Sequence, residues 1–151
     1  MQWNQKESAL LKDLKGQEQL CANKYSRHAD AANDPQLKQL FSQLAQQEAE
    51  HLNTVTELER GIIPQMQSGG SKTEPTFTAA YHGESQEKQL DCFLCSDTLA
   101  GEKHVSQLYD TCVFEFSDAR VRNVLNHIQK EEQEHGKKIY DYMAVNAMYA
   151  A

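Results

Sequence analysis

Two short segments of this chain, Glu48-Ala49-Glu50-His51 and Glu132-Gln133-Glu134-His135, each set a carboxylate and an imidazole three residues apart. On a helix that spacing puts both side chains on one face. Each pair can therefore offer an oxygen and a nitrogen ligand to one cation. Glu18 and Glu102 precede Glu48 and Glu132 by the same thirty residues. Four carboxylates carry a charge of −4, which two divalent ions neutralise. Without ions, four buried carboxylates would repel one another and their pKa values would have to rise. Mixed oxygen and imidazole ligands suit iron or manganese, with zinc a further option.

These residues belong to an internal repeat. A shift of 84 residues superposes the two halves without a gap: Glu18 falls on Glu102, Tyr25 on Tyr109, Asp34 on Asp118, Glu48 on Glu132, Glu50 on Glu134 and His51 on His135. Leu37, Leu40, Leu44 and Val55 likewise fall on Val121, Val124, Ile128 and Ile139. The matches concentrate on ionisable residues, whereas a repeat retained for packing alone would match mainly apolar ones.

Each repeat must position its ligands as a helical hairpin. Leu11, Leu14, Glu18, Cys21, Tyr25 and Ala32 follow helical spacing, and Asn33-Asp34-Pro35 breaks the pattern. Asp34 suits an N-cap and Pro35 the first helical turn. Leu37, Leu40, Leu44, Glu48, His51, Val55 and Leu58 form the next stripe, ended by Gly61 and Pro64. In the second unit, Cys95, Leu99, Glu102, Tyr109 and Phe116 trace one face, and Ser117-Asp118 makes the turn. Val121, Val124, Ile128, Glu132, His135, Ile139 and Tyr142 trace the last helix. The spacing predicts helices over 3–32, 35–60, 86–116 and 119–147, within one domain spanning 1–151. Gly101 and Gly136 fall inside helices, where they weaken them locally and could permit close helix approach.

The segment 61–85 is rich in Gly, Pro, Ser and Thr and reads as a loop. Its length has a reason if both hairpins run up and then down, because the chain must then return the bundle height of roughly 40 Å. The expected fold is all-α: a four-helix bundle of two hairpins joined by one long crossover. Glu18 lies 16 residues before Asp34 and Glu48 lies 14 after it, so both reach nearly the same height. Glu102 and Glu132 repeat this around Asp118. All four carboxylates thus arrive at one level, each on an apolar stripe.

Tyr25 and Tyr109, seven residues after Glu18 and Glu102, face inward. They either donate hydrogen bonds to ligand carboxylates or fill the core as amphipathic rings. Cys92-Phe93-Leu94-Cys95 cannot alone close a four-thiolate metal centre. Cys92 and Cys95 are candidate redox thiols, and core filling is the alternative for Cys95. With Cys21 and Cys112 they are too scattered for a disulfide scaffold. His28, His104 and His127 lack partners in the repeat and are expected at the surface, and Glu50 and Glu134 point off the ligand face.

Composition bounds the rest. The chain has 151 residues, 39% apolar and 25% charged, as expected of a soluble globular protein. Its net charge of −7 argues against nucleic acid as a partner. No apolar run approaches the roughly 20 residues needed to cross a bilayer, and no basic cluster suggests an anionic membrane. The first residues lack a secretion signal, so synthesis in the cytoplasm is expected. No HExxH, GxSxG or phosphate-binding glycine loop is present, which leaves hydrolytic and nucleotide chemistry without candidate residues.

At Glu18, Glu48-x-x-His51, Glu102 and Glu132-x-x-His135 the chain resembles the ferritin-like superfamily, with the symmetrical ligand set of its bacterioferritin and rubrerythrin-like members. That resemblance implies an oxidoreductase with ferroxidase, peroxidase or catalase-like chemistry at an iron or manganese pair. The oxidant would be peroxide or dioxygen, and the electron donor is unidentified. The segments AANDPQLKQLFSQLAQQEAEH and CSDTLAGEKHVSQLYDTCVFEFSDARVRNVLNHIQKEEQEHGKKIYDYM, with the tail AVNAMYA, are similar to the spore coat protein F family. This second likeness implies a place in the spore coat, with coat proteins or further copies of the chain as partners. Many members of that family lack a full ligand set, and their role is structural. This chain keeps all six ligands, lacks a second C-x-x-C for a rubredoxin centre, and has no evident fifth helix of the cage ferritins.

Overall fold

The computed structural model describes residues 1–66 and 74–149. It contains helices α1 (Gln5–Ala31), α2 (Pro35–Glu59), α3 (Gln86–Glu115) and α4 (Ala119–Val145), and no strand among the described residues. Their boundaries follow from local chemistry. Asn4 opens α1 with a reciprocal capping box to Glu7, which leaves Trp3 outside the helix. Asp34, Ser85 and Asp118 cap the other three through their side chains, and Pro35 takes the first turn of α2, where its missing N–H costs nothing. Gly61 follows α2 at φ +84°, a left-handed conformation, and a side chain there would meet the Met1 backbone.

α1 packs on α2 and α3 on α4, which makes two antiparallel hairpins. Contacts between hairpins set their relative direction. Lys6 of α1 pairs with Glu115 of α3 (2.6 Å), Lys24 with Asp97 (3.2 Å), and the Asn33 N–H donates to Asp91 (2.8 Å). α1 and α3 are thus antiparallel, so α2 and α3 run the same way. The end of α2 lies by the start of α1, where Trp3 Nε1 donates to the Leu58 carbonyl (2.8 Å) and Lys15 meets Glu59 (2.6 Å). The start of α3 lies at the other end of the bundle. The connection expected over 61–85 must therefore run the bundle's length; its residues 67–73 lie outside the described residues.

A polar knot fastens the far end of this crossover. Asp91, fully buried, accepts from the backbone N–H groups of Asn33 and Asp34 and from Tyr81 Oη. Tyr142 Oη donates to Asp34 (2.6 Å), and Asn146 Oδ1 accepts from the N–H groups of Ala80 and Tyr81. The α1–α2 turn, the crossover, the start of α3 and the end of α4 are thereby tied together. Because the carboxylate is buried, its loss would strand several donors.

Two apolar clusters fill the interior on either side of the ligand level. One contains Leu11, Leu14, Val55, Leu58, Val105, Leu125 and Ile128. The other contains Leu37, Leu40, Phe41, Leu44, Leu94, Ile139 and Tyr142. Burying each such side chain contributes about 1.5–3 kcal/mol. The two helix-interior glycines differ. An added Cβ at Gly136 would touch Leu99 Cδ1 at 3.5 Å, whereas at Gly101 it would meet nothing within 4 Å. The expectation of close approach therefore fits Gly136 and not Gly101, which faces open space.

Two stability outcomes follow. Asp91→Ala should lower the free energy of unfolding by about 2–4 kcal/mol in urea titration, since it orphans buried N–H and hydroxyl donors. Gly101→Ala should raise it by about 0.5–1 kcal/mol, because the helix gains propensity without a clash.

Candidate metal centre

The bundle brings all six ligand candidates to one level. Glu18, Glu48, Glu102, Glu132, His51 and His135 are 4% exposed or less. They form two overlapping groups. Glu18, Glu48, His51 and Glu132 each place one ligand atom within 4.8 Å of the others, and so do Glu48, Glu102, Glu132 and His135. Glu48 and Glu132 belong to both. These buried clusters could hold metal ions.

The imidazoles are oriented by bonds at both nitrogens. His51 Nδ1 faces Glu132 (2.9 Å) and Glu48 (3.3 Å), while its Nε2 meets Glu131 (2.9 Å). His135 Nδ1 faces Glu48 (2.8 Å), and its Nε2 meets Gln47 Oε1. The rings stack with centroids 5.6 Å apart. Gln47 and Glu131 were not singled out in the sequence. Little in the sequence marked them: the repeat places them at equivalent positions, each directly before a ligand glutamate, but they differ in type.

The tyrosines act across the hairpins. Tyr25 Oη of α1 donates to Glu102 of α3 (2.6 Å), and Tyr109 Oη of α3 donates to Glu18 of α1 (2.7 Å). Of the two roles open to them, the bonded one is what the fold makes. Each fixes one oxygen of a terminal carboxylate and leaves the other. Glu18 Oε2, Glu102 Oε2 and Glu132 Oε2 are buried without a hydrogen-bond partner. Such atoms are costly unless something pairs with them. Their presence among imidazole nitrogens is the pattern a cation would complete, so the residues present fit a metal pair.

Electrostatics agree. Burial first, and then the neighbouring Glu48 carboxylate, push the Glu18 carboxyl well above its usual range. Burial and then Glu102 do the same to Glu132. Burial works against charge on Glu48 too, but its bonds to His135 and His51 outweigh it and hold that carboxyl low. Burial would lower His51, yet Glu131 and Glu48 push it up to about 10. His135 is raised as well: burial opposes, and Glu102 and Glu48 prevail. The protein without metal thus holds protons where cations would sit.

The remaining candidates lie elsewhere. All four cysteines are free thiols. Cys95 is fully buried, and burial pushes its thiol up, the opposite of what a reactive thiolate needs. Cys92 is half-buried with its thiol toward the Met148 carbonyl. His28 departs from the surface expectation. It is half-buried, bonds Asp97 at 2.8 Å, and sets its ring against Phe41, because α2 and α3 close over it. His127 is also partly buried, with Nε2 3.5 Å from Glu131, since it lies one turn before that residue on α4. His104 and Glu50 are exposed, and Glu134 is partly so.

Fold and site together define a class: a four-helix bundle of two hairpins with a buried carboxylate–histidine centre able to hold metal. Within the chain, residues 91–151 match the model of the Coat F domain family. The matched region covers nearly all of α3 and the whole of α4, and it includes Glu102, Glu132 and His135. No curated protein matches the chain, and no solved structure does. No helix among the described residues is long and apolar enough to cross a membrane.

The raised groups set a pH dependence. Glu18 and Glu132 take up protons on folding above their ordinary value of 4.5, and His51 does so above 6.5. A raised folded-state pKa stabilises fully below the unfolded value and is lost as pH rises through the folded one. The melting temperature of metal-free protein should therefore fall from pH 6.5 toward about 10, the value for His51. Saturating divalent metal should flatten that fall, as followed by circular dichroism, because the ion replaces the protons.

Proposed function

We propose that this protein is a ferritin-like, two-metal carboxylate protein of the spore coat that reacts with peroxide or dioxygen. The observation that carries this reading is the overlap of the two buried ligand groups at Glu48 and Glu132. Bound there, an iron or manganese pair would supply redox chemistry toward a small oxidant, with electrons returned by a donor outside the chain. The chain's own residues do the rest. Glu48 and Glu132, common to both ligand groups, would hold the metal pair together with Glu18, His51, Glu102 and His135. Glu131 and Gln47 hold the imidazoles so that Nδ1 faces inward. Tyr109 and Tyr25 anchor the terminal carboxylates and keep them from swinging away. The two apolar clusters above and below limit water at the site.

A second reading draws on the Coat F match over 91–151. In it the protein is a coat or assembly component, partnered by coat proteins or copies of itself, and its metal site only stabilises the bundle or is vestigial. The first reading requires loading and turnover; the second requires no turnover.

Elemental analysis after anaerobic loading with ferrous or manganous ion should find two ions per chain, one for each ligand group. Fewer than one would sink the metal site and with it the first reading, leaving the second with a vestigial site. Glu132→Ala should lose most of the bound metal, since that residue serves both groups. Oxidation of the ferrous protein by added peroxide, followed by absorbance, supports the first reading. Two ions without oxidation leave the second, in which a chelator lowers the melting temperature and nothing else.

A further inference from the structure

The ligand set is nearly two-fold symmetric, but its surroundings are not. Between α3 and α4 a cavity of about 500 Å³ opens to solvent and reaches Glu102 and Glu132 at its floor. Gly136 forms one wall, directly after His135. The residue related to it by the repeat is Leu52, directly after His51. An added Cβ at Gly136 would already stand 3.5 Å from Leu99 and 4.0 Å from the Glu102 Cβ across the cleft. A leucine side chain there would extend into the space that glycine leaves open.

The cavity's charges sort what can use it. Lys103 and Lys137, both exposed, line it above the two carboxylates. Lys137 is paired with Asp141 (2.7 Å) and stands 3.8 Å from Glu74, so a cation meets the Lys103 ammonium first, and an anion meets the carboxylates last. An uncharged solute is opposed by neither. Leu99 and the edge-to-face pair of Tyr140 and Tyr149, with ring centroids 5.0 Å apart, supply apolar wall. A smaller cavity of about 280 Å³ between α1 and α3 also touches Glu102, but Asp97 and His104 line it.

We infer that the α3–α4 cleft is a port by which a small uncharged oxidant, dioxygen or peroxide in size, reaches the carboxylate centre, and that Gly136 holds it open. The identity of the solute rests on the proposed function; the openness of the port does not.

Dissolved dioxygen is paramagnetic and speeds the relaxation of protons it approaches, so nuclear magnetic resonance can test the port in metal-free protein. Under dioxygen pressure, the Leu99 methyl protons should relax several-fold faster than those of Leu125, a fully buried core residue. Gly136→Leu should bring Leu99 down to the level of Leu125, and Gly136→Ala, which adds one carbon and favours the helix, should give a partial drop. Gly101→Leu, in the other cavity, should leave Leu99 unchanged. Equal relaxation at Leu99 in wild type and both Gly136 variants overturns the port. So does a dioxygen effect confined to Leu20 and Gly101 that Gly101→Leu abolishes. A Leu99 effect that both Gly136 variants reduce supports it whether or not the chain binds metal. Failure of metal loading would therefore refute the proposed function separately.

Discussion

Four glutamate side chains meet in the middle of this bundle, almost wholly buried, and everything around them compensates for that. Burying like charges together is among the most costly arrangements a core can adopt. The structure offsets it with imidazoles packed against the carboxylates, tyrosine hydroxyls donated to two of them, and carboxyls that hold their protons. The compensation is incomplete, since three carboxylate oxygens keep no hydrogen-bond partner and the imidazoles nearest two of them stand 3.5 and 3.7 Å away. An interior evolved for stability alone would place leucine at such positions. The remaining deficit is one that a bound cation could make good.

The apolar clusters and the polar knot divide the work of holding that centre. The clusters clamp the helices above and below the ligand level. The knot around Asp91 and Asp34 decides where the crossover ends and hence that α3 runs parallel to α2. Antiparallel α1 and α3 then let each tyrosine reach the opposite hairpin's glutamate.

Much of this was legible in the residues themselves. Helical periodicity, the Asp-Pro and Ser-Asp turns, and the repeat located the four helices to within about two residues, the usual uncertainty at frayed ends. The ligand level was legible because rise per residue is constant along a helix, so equal distances from a turn mean equal heights. The partners of the histidines were not singled out. Gln47 and Glu131 are ordinary helix-surface residue types, and nothing local distinguishes them from Glu50 or Glu134. His28 was misplaced for a related reason: its burial comes in part from α3, which is distant in sequence.

The sequence by itself determined the helices, their pairing into hairpins, and the six residues able to share one level, because these depend on local periodicity and on the repeat frame. Only the tertiary structure decided which tyrosine serves which glutamate, where a cleft reaches the centre, and how the crossover is anchored. Those features arise where two helices distant in sequence meet, and their geometry depends on side-chain volumes across the interface. Gly136 shows the difference. In the sequence it is a weak point in a helix; in the fold it is the missing wall of a cleft that leads to Glu102 and Glu132.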